Sequence, residues 1–341
     1  MPTQSRRTFL RNGLAAGASM LIPRPNLFSG RVMTVRGAVP ASSLGPVLVH
    51  EHVLVDFIGA EKANPDRYDR QEAFNTILPH LQELYKRGCR TLVECTPQFL
   101  GRDPLLLKRL SESSKLHILT NTGYYGAAEE KFLPASLTAE TAPSLAAQWI
   151  AEHEKGIAGT GIRPGFMKLG VDDVPFTENI RKILLAGALT YTSTGMPVAI
   201  HTSKGAAPAQ EELRILSEAG VPTNAWIWVH AQNERNPDAF EAIAKQDGWV
   251  ELDGYQRDQT DEYVRLLLQL RKSKCLHRVL VSQDAGWYHV GEASGGSYRP
   301  HTDIFDYLLP ALRKSGFSES DIHQLMTANP AQAFSLRSSA S

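Results

Sequence analysis

From residue 45 onward, short apolar runs rich in strand-forming residues alternate with longer amphipathic segments, and there are eight such runs. They begin with Val47-Leu48-Val49 and recur at 90–94, 116–120, 165–169, 197–201, 225–230, 249–252 and 278–282. Helical spacing follows most of them, near 70–87, 104–113, 178–194, 210–219, 237–245, 261–272 and 303–314, with a long polar and helical insertion reaching Ile157. Strand–helix alternation of this kind predicts a parallel sheet covered by helices. Gly88, Gly195 and Gly220 stand where helix C-caps belong, just before the next strand. Eight units predict an α/β fold, a (β/α)8 barrel of the TIM type. A doubly wound open sheet is the competing arrangement. However, no G-x-G-x-x-G follows the first strand and no G-x-x-x-x-G-K-[ST] occurs anywhere.

The first 30 residues stand outside this pattern. Ser5-Arg6-Arg7-Thr8-Phe9-Leu10 reads as a twin-arginine export signal, followed by a weakly apolar run from Leu14 to Ile22. That run is too short for an ordinary membrane span. The expected location is periplasmic or extracytoplasmic, with the twin-arginine export machinery as a partner and no stable membrane span. The 36 basic and 36 acidic residues cancel, which argues against a nucleic-acid partner held by bulk charge. Cys89, Cys95 and Cys275 form no CxxC, so neither a disulfide framework nor a cysteine zinc site is expected.

His50-Glu51-His52 closes the first apolar run, and side chains at i and i+2 of a strand share a face. Two adjacent imidazoles suit a zinc-like cation. Further polar residues end later strands: Glu94, Lys168, His201, His230 and Asp284. Lys168 and His201 are 33 residues apart, His201 and His230 are 29, and His230 and Asp284 are 54, about one or two βα units each. Strand ends separated by whole units converge on one face of a barrel. His80, His117, His153, His277 and His323 fall elsewhere and read as ordinary. Four imidazoles and a carboxylate exceed the three protein ligands of one catalytic zinc, so two metals are expected. Lys168 either pairs with a carboxylate at the rim or has reacted with carbon dioxide to give a bridging carbamate, which needs the neutral amine. Glu94 reads equally as an acceptor behind a ligand or as a simple strand-end residue.

These segments resemble the phosphotriesterase family of the amidohydrolase superfamily over roughly residues 35 to 335. Val49-His50-Glu51-His52 resembles the strand-1 metal pair, and Phe166-Met167-Lys168-Leu169-Gly170 the strand-4 segment with its carboxylated lysine. Ile200-His201-Thr202, Val229-His230 and Ser282-Gln283-Asp284 resemble the ligands of strands 5, 6 and 8. Gly101-Arg102-Asp103 and Asn329-Pro330-Ala331 match family punctuation. The resemblance implies one metal-dependent hydrolase domain over 35–335, with a binuclear site at the C-terminal ends of the strands. His50, His52 and Asp284 would hold the buried metal, His201 and His230 the exposed one, and Lys168 would bridge both. The resemblance implies divalent metals, commonly zinc. The implied reaction is ester hydrolysis by a metal-bridging hydroxide, with Asp284 accepting its proton.

The resemblance implies a small-molecule ester substrate, a lactone or an organophosphate, and leaves room for a homodimer. An amidase on the same metal centre and a non-catalytic metal-bearing protein are the alternatives. Tyr125 resembles the strand-3 tyrosine of lactonase members. Asp253-Gly254-Tyr255 and His230-Ala231-Gln232-Asn233 depart from the lactonase pattern and count against acyl-homoserine lactonase activity. The aromatic stretch Ala285-Gly286-Trp287-Tyr288-His289, continuing to His301, is the candidate lid or substrate wall, with Trp287 and His289 as its substrate contacts.

Overall fold

The computed structural model describes residues 30–337; the twin-arginine pattern lies outside the described residues. The strands are β1 (Arg31–Thr34), β2 (Gly37–Pro40), β3 (Val47–Val55), β4 (Thr91–Glu94), β5 (His117–Leu119) and β6 (Asn121–Thr122). They continue with β7 (Phe166–Val171), β8 (Val198–Thr202), β9 (Trp226–Val229), β10 (Trp249–Leu252), β11 (Val279–Val281) and β12 (Gly286–His289). One sheet runs β11-β10-β9-β8-β7-β6 and another β12-β3-β4-β5. β5 and β6, parted only at Thr120, join the two sheets on one side. On the other side Asp284 N donates to His50 O at 3.1 Å, closing the ring between β11 and β3. The ladders between successive units are parallel. The expected (β/α)8 barrel is the observed one, not the open sheet.

Helices lie close to their sequence-predicted bounds: Arg70–Lys86, Pro104–Ser114, Glu178–Thr194, Pro237–Lys245 and Thr260–Lys272. Asp69, Asp103 and Thr177 cap three of them through side-chain oxygens on backbone N–H groups. Gly195 ends Glu178–Thr194 at φ 69°, where a Cβ would lie 1.9 Å from the Arg337 carbonyl oxygen. The helix expected at 210–219 starts earlier, as Ala206–Glu218. The C-terminal one opens with a π-helical turn, Ile304–Leu308, before Leu309–Lys314. Pro310 has no N–H for the Asp306 carbonyl, so the helix widens there.

Inside the barrel, Val47, Val49, Val93, Leu119, Phe166, Ile227, Val229 and Leu280 form one packed cluster, closed below by Phe334 against Phe166. Leu48, Leu92, Ile118 and Ile200 point outward into the helical layer. The hairpin β1–β2 was not expected from the sequence; Val32 joins the floor of the barrel interior. Among the described residues no helix is long and apolar enough to cross a membrane.

Candidate metal centre

The histidine pair sits mid-strand, because β3 runs nine residues and gains a second partner in β12 (Gly286↔His52, Tyr288↔Leu54). Simple alternation from inward Val47 and Val49 would aim Glu51 into the barrel. Instead the register against β4 slips between Leu48 and Glu51, a bulge that inserts one residue and reverses the phase. His50 and His52 therefore face the cavity, with ring centroids 5.4 Å apart. Glu51 turns away and accepts from Ser282 Oγ (2.7 Å), Ala285 N (2.8 Å) and His301 Nδ1 (3.0 Å). That clamp fixes the chain around Asp284, which holds φ 48°.

Six predicted residues converge on one cavity of about 340 Å³: His50, His52, Lys168, His201, His230 and Asp284 all line it. His50, His230 and Asp284 offer ligand atoms within 4.8 Å of one another. His201 and His230 have ring centroids 4.3 Å apart. Lys168 is buried, with Nζ 3.5 Å from His50 Nε2. Among the described residues no carboxylate lies within ion-pair distance of Lys168, so the rim pairing weighed from the sequence is not made.

Hydrogen bonds behind the imidazoles assign their protons. His50 Nδ1 meets Glu251 Oε1 at 2.8 Å and Asp253 Oδ2 at 2.9 Å. His230 Nδ1 donates to Asp253 Oδ1 at 2.6 Å. His52 Nδ1 donates to Thr96 Oγ1 at 2.7 Å, and that hydroxyl donates onward to Glu94. In these three rings Nε2 is left bare toward the cavity. His201 is reversed: its Nε2 is held by Tyr125 OH (3.0 Å) and Ser203 Oγ (3.3 Å), leaving Nδ1 free.

Burial, with Lys168 alongside, lowers His50 to about 3 against the pull of Asp253 and Asp284. Burial, His230 and Lys168 hold His201 well below the usual imidazole range. Both are neutral at pH 7, the form a cation needs. Burial would raise Asp284, but His52, His50 and His230 outweigh it and keep the carboxylate ionised. Its Oδ1 lies 3.2 Å from His52 Nε2 without hydrogen-bond geometry and is buried and unpartnered. Bare imidazole nitrogens facing an orphaned carboxylate oxygen are donors that fit a divalent cation.

The lowered His50 has a measurable consequence in metal-free protein. In the unfolded chain this imidazole titrates near 6.5. Folded, it stays neutral down to about 3, so below pH 6.5 the unfolded state binds the extra proton. Stability from this group is complete above pH 6.5 and lost as the pH falls. Glu94, which burial raises to about 7, acts in the opposite sense, so the total slope mixes the two. The free-energy difference between wild type and His50→Gln isolates the histidine. It is expected to shrink by roughly 1.4 kcal/mol per pH unit below 6.5. Urea unfolding of chelator-treated protein at pH 7 and pH 5.5 checks this, and a constant difference would contradict the assignment.

Tyr125 hydrogen-bonds His201 and bridges Gly170, where a Cβ would stand 2.7 Å from the tyrosine ring. Burial raises its phenol, which stays protonated. Trp287 lines the cavity, its ring centroid 4.5 Å from His52, and its indole donates to Asp284 O at 2.8 Å. The stretch after Asp284 forms β12, paired to β3 and bridged from Gly286 to Arg299, so it is a hydrogen-bonded wall. His289 does not reach the cavity as expected. It pairs opposite Val55 and packs behind Phe57 and Trp287, with Glu292 as its neighbour. Glu94 stands behind His52 through Thr96, the first of its two sequence readings.

A model of the phosphotriesterase family matches residues 30–334. A phosphotriesterase homology protein of Escherichia coli K12 is 28% identical over 298 residues, covering 85% of this chain and 98% of that protein. An N-acetyltaurine hydrolase of Salmo salar is 26% identical, covering 89% and 97%. A solved structure described as a weak promiscuous lactonase template engineered for organophosphate hydrolysis superposes with a TM-score of 0.80 at 26% identity, covering 89% of this chain and 99% of that one.

Proposed function

The chain belongs to the phosphotriesterase family and is a hydrolase, and we propose that it cleaves a small-molecule ester, lactone or organophosphate at a two-metal centre. The observation that carries this reading is the convergence of four imidazoles, Lys168 and the unpartnered Asp284 Oδ1 on one cavity floor. His50, His52 and Asp284 would hold one cation, and His201 and His230 the other. Lys168 would serve both as a carbamate, its amine adding to the carbon of CO2 with loss of one proton. Bound divalent metals supply Lewis acidity, which acidifies water and polarises a phosphoryl or carbonyl oxygen.

The remaining work falls to the chain. Asp284 Oδ1, ionised and free of hydrogen bonds, accepts the proton of the attacking water. The Tyr125 phenol, protonated and fixed on Gly170, donates to an oxygen of the substrate. Phe57, Phe132, Leu100 and Trp287 enclose the apolar body of the substrate and exclude water. The likeness to an N-acetyltaurine hydrolase favours amide cleavage as the second reading.

Chelation is expected to abolish hydrolysis and zinc or another divalent metal to restore it, with two metals per chain in the active protein. A panel of lactones, phosphotriesters, phosphodiesters and N-acyl amides separates the readings. Turnover confined to amides would replace the ester reading, and bound metal with no turnover on any of them would leave a non-catalytic metal-bearing protein.

A further inference from the structure

The loop after β6 holds a feature that the hydrolytic chemistry does not use. Ala128, Glu129 and Glu130 are consecutive left-handed residues, at φ 57°, 55° and 60°. Residues with a Cβ avoid this region, so such a run persists only where its surroundings hold it. Asp172, just past the end of β7, accepts from Ala128 N (3.1 Å) and Glu129 N (2.9 Å). Glu130 accepts from the Thr177 hydroxyl and from Asn179 Nδ2 (2.8 Å). Lys131 N donates back to Ala128 O at 3.2 Å and closes the turn.

The turn delivers Lys131 and Phe132 to the wall of the cavity. Phe132 is buried, with ring centroids 5.8 Å from Tyr125 and 6.2 Å from Phe57. Lys131 is exposed, its Nζ 5.3 Å from the Phe132 centroid. Of the carboxylates around the turn, Glu61 accepts from Ala135 N, Glu130 from Thr177 and Asn179, and Asp172 from the turn and Ser203, while exposed Glu129 makes no ion pair with Lys131. Among the described residues no carboxylate pairs with the Lys131 ammonium. An ammonium without an ion-pair partner thus stands over the aromatic wall of the cavity, placed to attract an anion that enters it.

We propose that Lys131 and Phe132 recognise an anionic group at the end of the substrate remote from the scissile bond. The preferred substrates then have an apolar body and an anionic tail, a carboxylate, sulfonate or phosphate. This rests on the reading of the cavity as the hydrolytic site.

The test uses two nitrophenyl esters of equal length, the hexanoate and the half-ester of adipate, which end in a methyl and a carboxylate. A carboxylate also approaches bound metals, so the part of the preference that depends on Lys131 is what decides. The ratio of kcat/KM for the anionic over the neutral ester is expected to fall about tenfold in Lys131→Ala. It falls further in Lys131→Glu and is kept in Lys131→Arg. An equal ratio in all four proteins overturns the proposal. If neither ester turns over, the reading of the cavity as an esterase fails, and binding still tests the arm. By calorimetry, the nonhydrolysable phenoxyhexanoate is expected to bind wild type about tenfold more tightly than Lys131→Glu, and equal affinity overturns the proposal.

Discussion

Lys168→Ala is expected to remove metal and hydrolysis together, without unfolding the protein. Lys168 is 2% exposed on β7, its Nζ beside His50 Nε2 and unpaired with any carboxylate among the described residues. Burying this amine costs solvation that no ion pair returns. Its removal should therefore leave the metal-free fold as stable as wild type or more so. The metal-loaded protein should suffer in the opposite direction. Groups that only orient a ligand carry about 10- to 100-fold in metal affinity or activity. A residue that bridges two cations should cost more than about 100-fold. Metal content per chain, kcat/KM and apo thermal unfolding measure the three effects. An NMR signal from isotope-labelled carbon dioxide, present in wild type and absent in the variant, reports the carbamate. Two bound metals and full activity in Lys168→Ala would end the bridging assignment.

The barrel was legible because each strand is an apolar run and each unit repeats. The convergence of the six candidate ligands on one cavity was legible for the same reason: polar residues that end successive apolar runs gather at one face of a barrel. What lay beyond reach depends on which strand faces which. The bulge in β3 leaves no mark in Val47-Leu48-Val49-His50-Glu51-His52, yet it decides that His50 faces the cavity and Glu51 does not. Thr96 and His301 act through partners more than 40 residues distant. Ala128-Glu129-Glu130 are good helix formers by propensity, so nothing local announces a left-handed turn; Asp172 imposes it from just past the end of β7. One signal was present and passed over. Trp249-Val250-Glu251-Leu252-Asp253 places two carboxylates in a run otherwise apolar enough for a buried strand. A buried carboxylate without a basic neighbour in sequence needs a distant donor.

Those two carboxylates differ in charge, and the difference predicts unequal outcomes for the same amide substitution. Burial, then the adjacent Asp253, raises Glu251 well above the carboxylate range. Asp253 is buried too, but His230 and His50 hold it well below. One negative charge is thus shared by the pair and sits on Asp253, with Glu251 a neutral acid. Asp253 accepts from His230 Nδ1 (2.6 Å) and lies 2.9 Å from His50 Nδ1, whose hydrogen bond goes to Glu251 Oε1 (2.8 Å), so its carboxylate stands behind one imidazole of each proposed metal site. Asp253→Asn keeps the volume but gives one ring an NH2 where it needs an acceptor. Metal affinity and kcat/KM are expected to fall about 10- to 100-fold. Glu251→Gln exchanges one neutral group for another: the amide oxygen can still accept from His50 Nδ1 in place of Oε1, and Oε2 has no partner to lose. Its effect should stay within about threefold, a difference near 0.6 kcal/mol and so within the range of substitutions that touch no key feature. Chelator competition and steady-state kinetics on the two variants side by side provide the measurement. Equal losses in both would mean that Asp253 does not carry the charge alone.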